Sequence, residues 1–223
     1  MSALLEKFEE VKAIVDRLST PDAERELIVV SKNQGLEKIA QLYEVGHRRF
    51  GESYFEEWAL KEKELPDDIE WHFIGPLQSR KMKKHRSLVQ ASTLVQSIDR
   101  HSTAKILSSC GSEEGTMECL VQVNLWGESQ KGGKPRSELR AFLDELGELP
   151  HLVCRGLMAI PPFTSSKSET GGHFAELSAL YQDLENEYGF SILSMGMSAD
   201  FELALSHGAT MVRVGSAIFG PRE

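Results

Sequence analysis

Short apolar runs alternate with amphipathic stretches along almost the whole chain. From Ala3 to Leu18, Leu4, Leu5, Phe8, Val11, Ile14, Val15 and Leu18 fall on one stripe at helical spacing, and Pro21 follows the stop. Core packing suits this helix better than a partner-binding role. The run Leu27 to Val30 then reads as a strand buried on both faces, ending in Ser31 and Lys32. Helical and strand patterns alternate from there. Leu36–Val45 is a helix closed by Gly46, His47–Ser53 a strand, Tyr54–Glu64 a helix and Ile69–Ile74 a strand. The basic GPLQSRKMKKH stretch is helical, and Leu88–Ala91 adds a half-strand. Leu94–Ile98 is the fourth full strand, Arg100–Ser109 a helix and Met117–Asn124 the fifth strand. Gly127–Pro135 is a polar loop, Glu138–Leu146 a helix and Leu152–Ile160 the sixth strand. A Pro/Ser/Thr loop over Pro161–Thr170 leads to a helix over His173–Tyr188. Ile192–Met197, a short helix over Asp200–His207, and Met211–Ile218 complete the pattern, and the chain stops five residues later.

Eight strands alternating with helices, joined by short connections, predict parallel strands with right-handed crossovers. The expected fold is a single-domain (β/α)8 TIM-type barrel over residues 1–223, with an extra N-terminal helix within residues 1–20. A doubly wound open sheet is the alternative. No GxGxxG follows the first strand, which counts against a dinucleotide-binding version. In a barrel the carboxyl ends of all strands share one mouth. Lys32, Ser53, Gly75, Asn124, Ile160, Ser198 and the Gly215-Ser216 pair gather there.

Composition narrows the function. A net charge of −9, from 25 basic and 34 acidic residues, argues against nucleic acid. Cys110, Cys119 and Cys154 form no CxxC pair, so buried thiols in a reducing cytoplasm are expected, with neither a disulfide framework nor a zinc site. His72 and His207 sit at no metal-ligand spacing, so no metal is expected; His72 reads as a hydrogen-bonded core or mouth residue, and His207 as complementing its helix dipole. The N-terminus carries charges throughout and is no signal peptide, and no apolar stretch is long enough to span a membrane. A monomer in the cytoplasm is expected.

Chemistry concentrates at the mouth. Lys32 ends a buried strand, where an ammonium must be paired or lose its proton more readily, and a partly neutral lysine attacks aldehydes. The plain alternative is that Lys32 marks where the strand reaches solvent. Ser194 to Asp200, SMGMSAD, places Ser198 as an N-cap with N–H groups and a hydroxyl pointing outward. Arg213 to Ser216, RVGS, puts a glycine where backbone approaches a ligand closely, beside the Ser216 hydroxyl. Capping alone and turning alone are the plain readings of Ser198 and Gly215. Barrels frequently bind phosphate after strands seven and eight. Arg213 and Arg155 interrupt apolar strands and need acceptors, either carboxylates in internal ion pairs or ligand atoms. A phosphate site, a strand-end lysine and an inward arginine in one mouth suggest pyridoxal 5′-phosphate (PLP). Ser194 and Asn124 complete the expected cofactor-binding set of Lys32, Ser198, Arg213, Gly215 and Ser216.

On these residues the chain resembles the YggS/PROSC-type pyridoxal-phosphate homeostasis proteins. The matching stretches are VVSK at 29–32, HRRFGESY at 47–54, EWHFIGPLQSRK at 70–81, LVQVN at 120–124, GLMAI at 156–160, SMGMSADFELA at 194–204 and VRVGSAIFGPRE at 212–223. The resemblance implies a barrel like the N-terminal domain of alanine racemase. It implies PLP as a Schiff base on Lys32, phosphate at Ser198, Gly215 and Ser216, and Arg213 at the ring nitrogen. It also implies a role in vitamin B6 and amino-acid homeostasis without established catalysis, with PLP-dependent apoenzymes as recipients. Ser53 and Arg80 stand where the family usually has asparagine. Lys131 matches a family lysine and, with Lys81, Lys83 and Lys84, could handle cofactor phosphate; solvated surface lysines are the plainer reading. The alternative function is a small racemase-like enzyme at the same site. It lacks the second acid/base group that a C-terminal domain supplies in the racemases. A class I aldolase-like barrel using Lys32 explains the lysine and phosphate site but not the motifs.

Overall fold

The computed structural model describes residues 2–20, 24–128 and 130–221; Pro21, Arg222 and Glu223 lie outside them. The strands are β1 (Glu26–Val30), β2 (Arg49–Glu52), β3 (Glu70–Phe73), β4 (Leu94–Ile98), β5 (Met117–Val123), β6 (Leu152–Ala159), β7 (Ile192–Ser194) and β8 (Met211–Val214). They close into a barrel in chain order, every neighbouring pair parallel. The first helix, α1 (Ala3–Leu18), is capped by the Ser2 hydroxyl and buries Phe8, Val11 and Val15. It therefore takes the core-packing role. The remaining helices are α2 (Leu36–Glu44), α3 (Phe55–Glu64), α4 (Ser79–Lys84), α5 (Arg86–Gln90), α6 (His101–Ser108), α7 (Arg136–Gly147), α8 (Lys167–Tyr188), α9 (Phe201–Ser206) and α10 (Ser216–Phe219). Among the described residues no helix is long and apolar enough to cross a membrane.

Alternation along the strands builds two cores. Leu27 and Val29 of β1 join the large cluster under the helices, together with Val212 and Val214 of β8. Ile28 instead meets Leu94, Leu120, Met158 and Met211 in a separate cluster inside the barrel. The barrel lumen is thus filled, not open. Cys110 and Cys119 are buried, Cys154 is partly so, and all three are free thiols.

Four expected boundaries move. Leu88–Ala91 is not a half-strand: Leu88 and Val89 are buried on α5, and β3 pairs directly with β4 (His72 with Leu94), which leaves no place for another strand. Helix α8 starts at Lys167, six residues before the expected start, because the Ser166 hydroxyl accepts from the Glu169 N–H at 3.3 Å. That Ser-x-x-Glu cap lay inside a segment that composition marks as loop. Strand β7 ends at Ser194 because Gly196 turns the chain at φ +91°. Strand β8 ends at Val214, and the remaining apolar residues form the single turn α10.

One glycine is fixed by close approach. At a register shift between β5 and β6, Gly156 takes φ +151°, and a Cβ there would lie 1.9 Å from the Ile192 carbonyl oxygen. Both the backbone conformation and the space exclude a side chain. Gly156→Ala is expected to cost about 3 kcal/mol or more. Chemical denaturation monitored by tryptophan fluorescence tests this, and a midpoint equal to that of the parent would refute it.

Candidate functional site

The carboxyl ends of β1, β6, β7 and β8 enclose a cavity of about 300 Å³ whose wall includes Lys32, Ile160, Ser198, Arg213, Gly215 and Ser216. Lys32 reaches it by simple alternation. Ile28 faces the lumen, Val30 lines the cavity, and Lys32 follows two residues later, half-buried. It sits in a tight turn, with the Gln34 N–H donating to the Ser31 carbonyl at 3.0 Å and Asn33 at φ +61°. An asparagine tolerates that left-handed conformation better than most residues.

The turn is anchored from behind by a buried charge network. The Asn33 N–H donates to Glu57 Oε1 at 2.6 Å. Lys61 of α3 is only 4% exposed, and its Nζ donates to the Ser31 carbonyl at 2.7 Å, Glu52 Oε1 at 2.7 Å and Glu57 Oε1 at 2.6 Å. The Ser31 hydroxyl donates to Glu52 Oε1 as well, at 2.7 Å. Burial raises the Glu52 pKa, and the Lys61 ammonium opposes that rise.

The junction between the β7 and β8 loops also lines the cavity. Ser198 does not cap α9; Asp200 stands at that position, and its carboxylate accepts from the Met197 N–H at 2.7 Å. The Ser198 hydroxyl oxygen instead accepts from the N–H groups of Gly215 at 3.0 Å and Ala217 at 3.2 Å, tying the two loops together. These donors converge on one oxygen, the arrangement an anion also satisfies. Gly215 packs so closely on β1 that a Cβ would lie 3.3 Å from the Val30 carbonyl oxygen. Ser216 follows, exposed.

Arg213 also lines the cavity. It is 4% exposed, and no carboxylate among the described residues is within ion-pair distance of it. Its guanidinium donates from Nη1 to Ser194 Oγ at 2.5 Å and from Nη2 to the Ala159 carbonyl at 3.0 Å. Burial lowers its pKa to about 10, which still leaves it charged at neutral pH. The internal ion pair considered for this arginine is therefore not formed. Arg155 does take one: it pairs with Glu118 on β5, partly exposed and away from the cavity.

Two expected site residues lie off the cavity wall. Ser194 is fully buried beneath Arg213. Asn124 organises its own loop, donating from Nδ2 to the carbonyls of Glu128 at 2.9 Å and Lys131 at 3.2 Å, while its Oδ1 accepts from the Glu128 N–H. Its amide is spent on closing the loop after β5. Lys131 is likewise engaged, with Glu128 at 2.6 Å and the carbonyls of Ile160 and Pro161. Lys81 pairs with Glu56 on the surface. His207 bonds the Leu203 carbonyl through Nδ1 at the end of α9, as its position suggested.

Taken together, the cavity wall carries the Lys32 amine, the Ser198, Gly215 and Ser216 groups and the buried Arg213 guanidinium, among apolar residues such as Ile74 and Ile160. These groups fit a planar heterocycle carrying an aldehyde, an anionic arm and a ring nitrogen that accepts a hydrogen bond.

Comparison with known proteins agrees. The model for "Alanine racemase, N-terminal domain" matches residues 4–223. A pyridoxal phosphate homeostasis protein of Schizosaccharomyces pombe is 38% identical over 199 residues, covering 88% of this chain and 84% of the relative. One from Vibrio alginolyticus is 39% identical over 211 residues, covering 92% and 89%. Among solved structures, PipY of Synechococcus elongatus, described with PLP bound, superposes with a TM-score of 0.85 at 32% identity, covering 97% of this chain and 100% of PipY. Alanine racemase from Corynebacterium glutamicum, at 16% identity and a TM-score of 0.74, shares the fold over 61% of its own length. The chain belongs to the alanine racemase N-terminal domain family and, within it, to the pyridoxal phosphate homeostasis proteins.

Proposed function

We propose that this chain is a PLP-binding protein that holds the cofactor as a Schiff base on Lys32 and takes part in intracellular PLP and amino-acid homeostasis, without catalysis. The observation that carries the reading is Arg213: a buried guanidinium with no carboxylate at ion-pair distance among the described residues, in the wall of the same cavity as Lys32. Its guanidinium meets a hydroxyl and a carbonyl, and a ligand acceptor would complete its pairing. PLP supplies an electrophilic aldehyde to amines. Lys32 would hold that aldehyde through its amine, with loss of water. Gly215, Ser216 and Ser198 would hold the phosphate, and Arg213 would donate to the ring nitrogen. A guanidinium keeps its own proton there, so the nitrogen stays unprotonated and the ring is a weak electron sink. Holding and releasing PLP suits such a site better than carbanion chemistry.

The single barrel acts as a monomer in the cytoplasm, and PLP-dependent apoenzymes are its recipients. A racemase-like enzyme is the second reading. Racemisation needs proton carriers on both faces of the α-carbon. Among the described residues lining the cavity, Lys32 and Arg213 are the titratable ones, and Arg213 is engaged from below. Tyr54, about half exposed at the start of α3, is the one tyrosine on the mouth side.

The test is the visible spectrum of the purified protein with added PLP, borohydride reduction and peptide mass mapping, beside Lys32→Ala. A yellow band fixed by borohydride on Lys32, and lost in the variant, is expected. A parent that stays colourless refutes the reading. Exchange of the alanine α-proton in heavy water at a rate well above that of free PLP would favour the racemase instead.

A further inference from the structure

The lumen of the barrel is aliphatic in its lower layer, but a row of polar side chains crosses it directly above. Arg213 on β8, Ser194 on β7, Gln96 on β4 and His72 on β3 are all buried, at 4%, 0%, 0% and 3% exposure. They form one chain of hydrogen bonds. Arg213 Nη1 meets Ser194 Oγ at 2.5 Å, Ser194 Oγ meets Gln96 Oε1 at 2.7 Å, and Gln96 Nε2 meets His72 Nδ1 at 3.0 Å.

The links run in one direction from the charged end. A guanidinium has only donors, so Ser194 Oγ accepts. The hydroxyl proton then points to an oxygen that can only accept, Gln96 Oε1. With the amide oxygen on Ser194, Gln96 Nε2 is the donor toward His72. The second N–H of that amide faces Met211 Sδ at 3.1 Å, a weak acceptor. His72 Nδ1 must therefore carry no proton, with the imidazole proton on Nε2. Burial agrees, holding the His72 pKa at about 3.

Apolar residues fill the layer below at no such cost. A buried polar row is favourable only when every member is satisfied. Here the three links share one polarity, and the one charged end of the row lines the cofactor cavity. We propose that Gln96 and His72 are positioning residues of the PLP site, acting through Ser194 to hold the Arg213 guanidinium as the donor presented to the cofactor's ring nitrogen. The inference rests on the PLP reading above. It gives Ser194 an indirect part and assigns a part to two residues outside the cavity wall.

The experiment uses the full chain and the variants His72→Leu, His72→Asn and Gln96→Met. Asparagine places an acceptor close to where Nδ1 stands, whereas leucine fills space and accepts nothing. A residue that only packs an apolar lumen tolerates leucine better than asparagine; a terminal acceptor shows the reverse order. PLP affinity is measured by titration, and the ring nitrogen is observed by NMR with 15N-labelled PLP. His72→Leu and Gln96→Met are expected to weaken PLP binding about tenfold and to move the ring 15N resonance, while borohydride still fixes the cofactor on Lys32. His72→Asn is expected to stay within about twofold of the parent. Should His72→Leu not fold, Gln96→Met, which nearly preserves side-chain volume, carries the same test. Parent-like binding and an unmoved resonance in the apolar variants, or His72→Asn behaving no better than His72→Leu, would overturn the relay alone. A parent with no borohydride-fixed cofactor would overturn the PLP reading, and the relay with it.

Discussion

Replacing Lys61 with methionine is expected to destabilise the protein by about 3–5 kcal/mol at neutral pH. The side chain is 4% exposed, and its ammonium bonds two carboxylates and one carbonyl within 2.7 Å. Methionine fills much of the same volume, so little of the loss comes from packing. The loss comes from Glu52, which is completely buried and whose second oxygen, Oε2, already has no partner. Without Lys61 the carboxylate keeps only the Ser31 hydroxyl. Desolvation already raises Glu52, and the ammonium is the chief opposing influence. The variant's Glu52 therefore binds a proton more readily folded than unfolded. The sign follows by linkage: the penalty grows as pH rises above the ordinary glutamate range and shrinks as pH falls toward it. Denaturation at about pH 5 and pH 8 reads this directly. A Lys61→Met, Glu52→Leu double variant is expected to regain most of the loss, because the one carboxylate that remains, Glu57, is partly exposed and accepts from the Asn33 N–H. A loss in Lys61→Met below about 1 kcal/mol at both pH values would show that the network contributes little. The same variant also frees the Ser31 carbonyl and loosens Glu57 from the Asn33 N–H, so the Lys32 turn loses order and PLP affinity falls with stability.

That network marks where reading the sequence ran short. The barrel itself was legible because apolar runs and amphipathic stretches alternate eight times, and Lys32, Ser198 and Arg213 were legible because each breaks a local pattern at a strand end. Lys61 breaks nothing so visible. It lies among Lys and Glu residues that read as a solvated helix face. Its signal was spacing: Phe55, Trp58 and Lys61 recur every three residues and are the buried stripe of α3. Gln96 was similarly available from the alternation of Leu94 and Gln96 along β4, once Leu94 is placed in the lumen. Asn124 and Ser194 lie off the cavity wall, Asn124 bonded within its own loop and Ser194 to Arg213 and Gln96. Both are polar residues at strand ends, and position alone does not say whether an amide or hydroxyl faces a ligand or serves its neighbours. Hydrogen-bond partners decide that, and these are tertiary.

Arg213→Met is expected to leave the cofactor-free protein at least as stable as the parent, while weakening PLP binding roughly tenfold to a hundredfold. The two effects have one cause. Desolvation lowers the Arg213 pKa from its ordinary value to about 10. The guanidinium is charged in both folded and unfolded chains at neutral pH, so the folded state carries the full cost, roughly 3 kcal/mol. That cost is present at every pH below about 10 and is relieved only as pH climbs from there toward the unfolded value. Methionine removes it and leaves one new debt, the Ala159 carbonyl at the end of β6, worth about 1–3 kcal/mol if unsatisfied. Ser194 keeps its own donor bond to Gln96. The net change lies between zero and a small gain. In the complex the balance reverses, because the charge then meets the ring nitrogen and its removal costs a charge-assisted hydrogen bond. Apo-protein denaturation and PLP titration on the same variant separate the two. A variant that loses more than about 2 kcal/mol without cofactor would mean that Arg213 is structural. One that binds PLP like the parent would remove Arg213 from the ring nitrogen. The combination expected here, stability kept and affinity lost, is what a protein gives when it holds an unpaired charge in its core for the sake of a ligand.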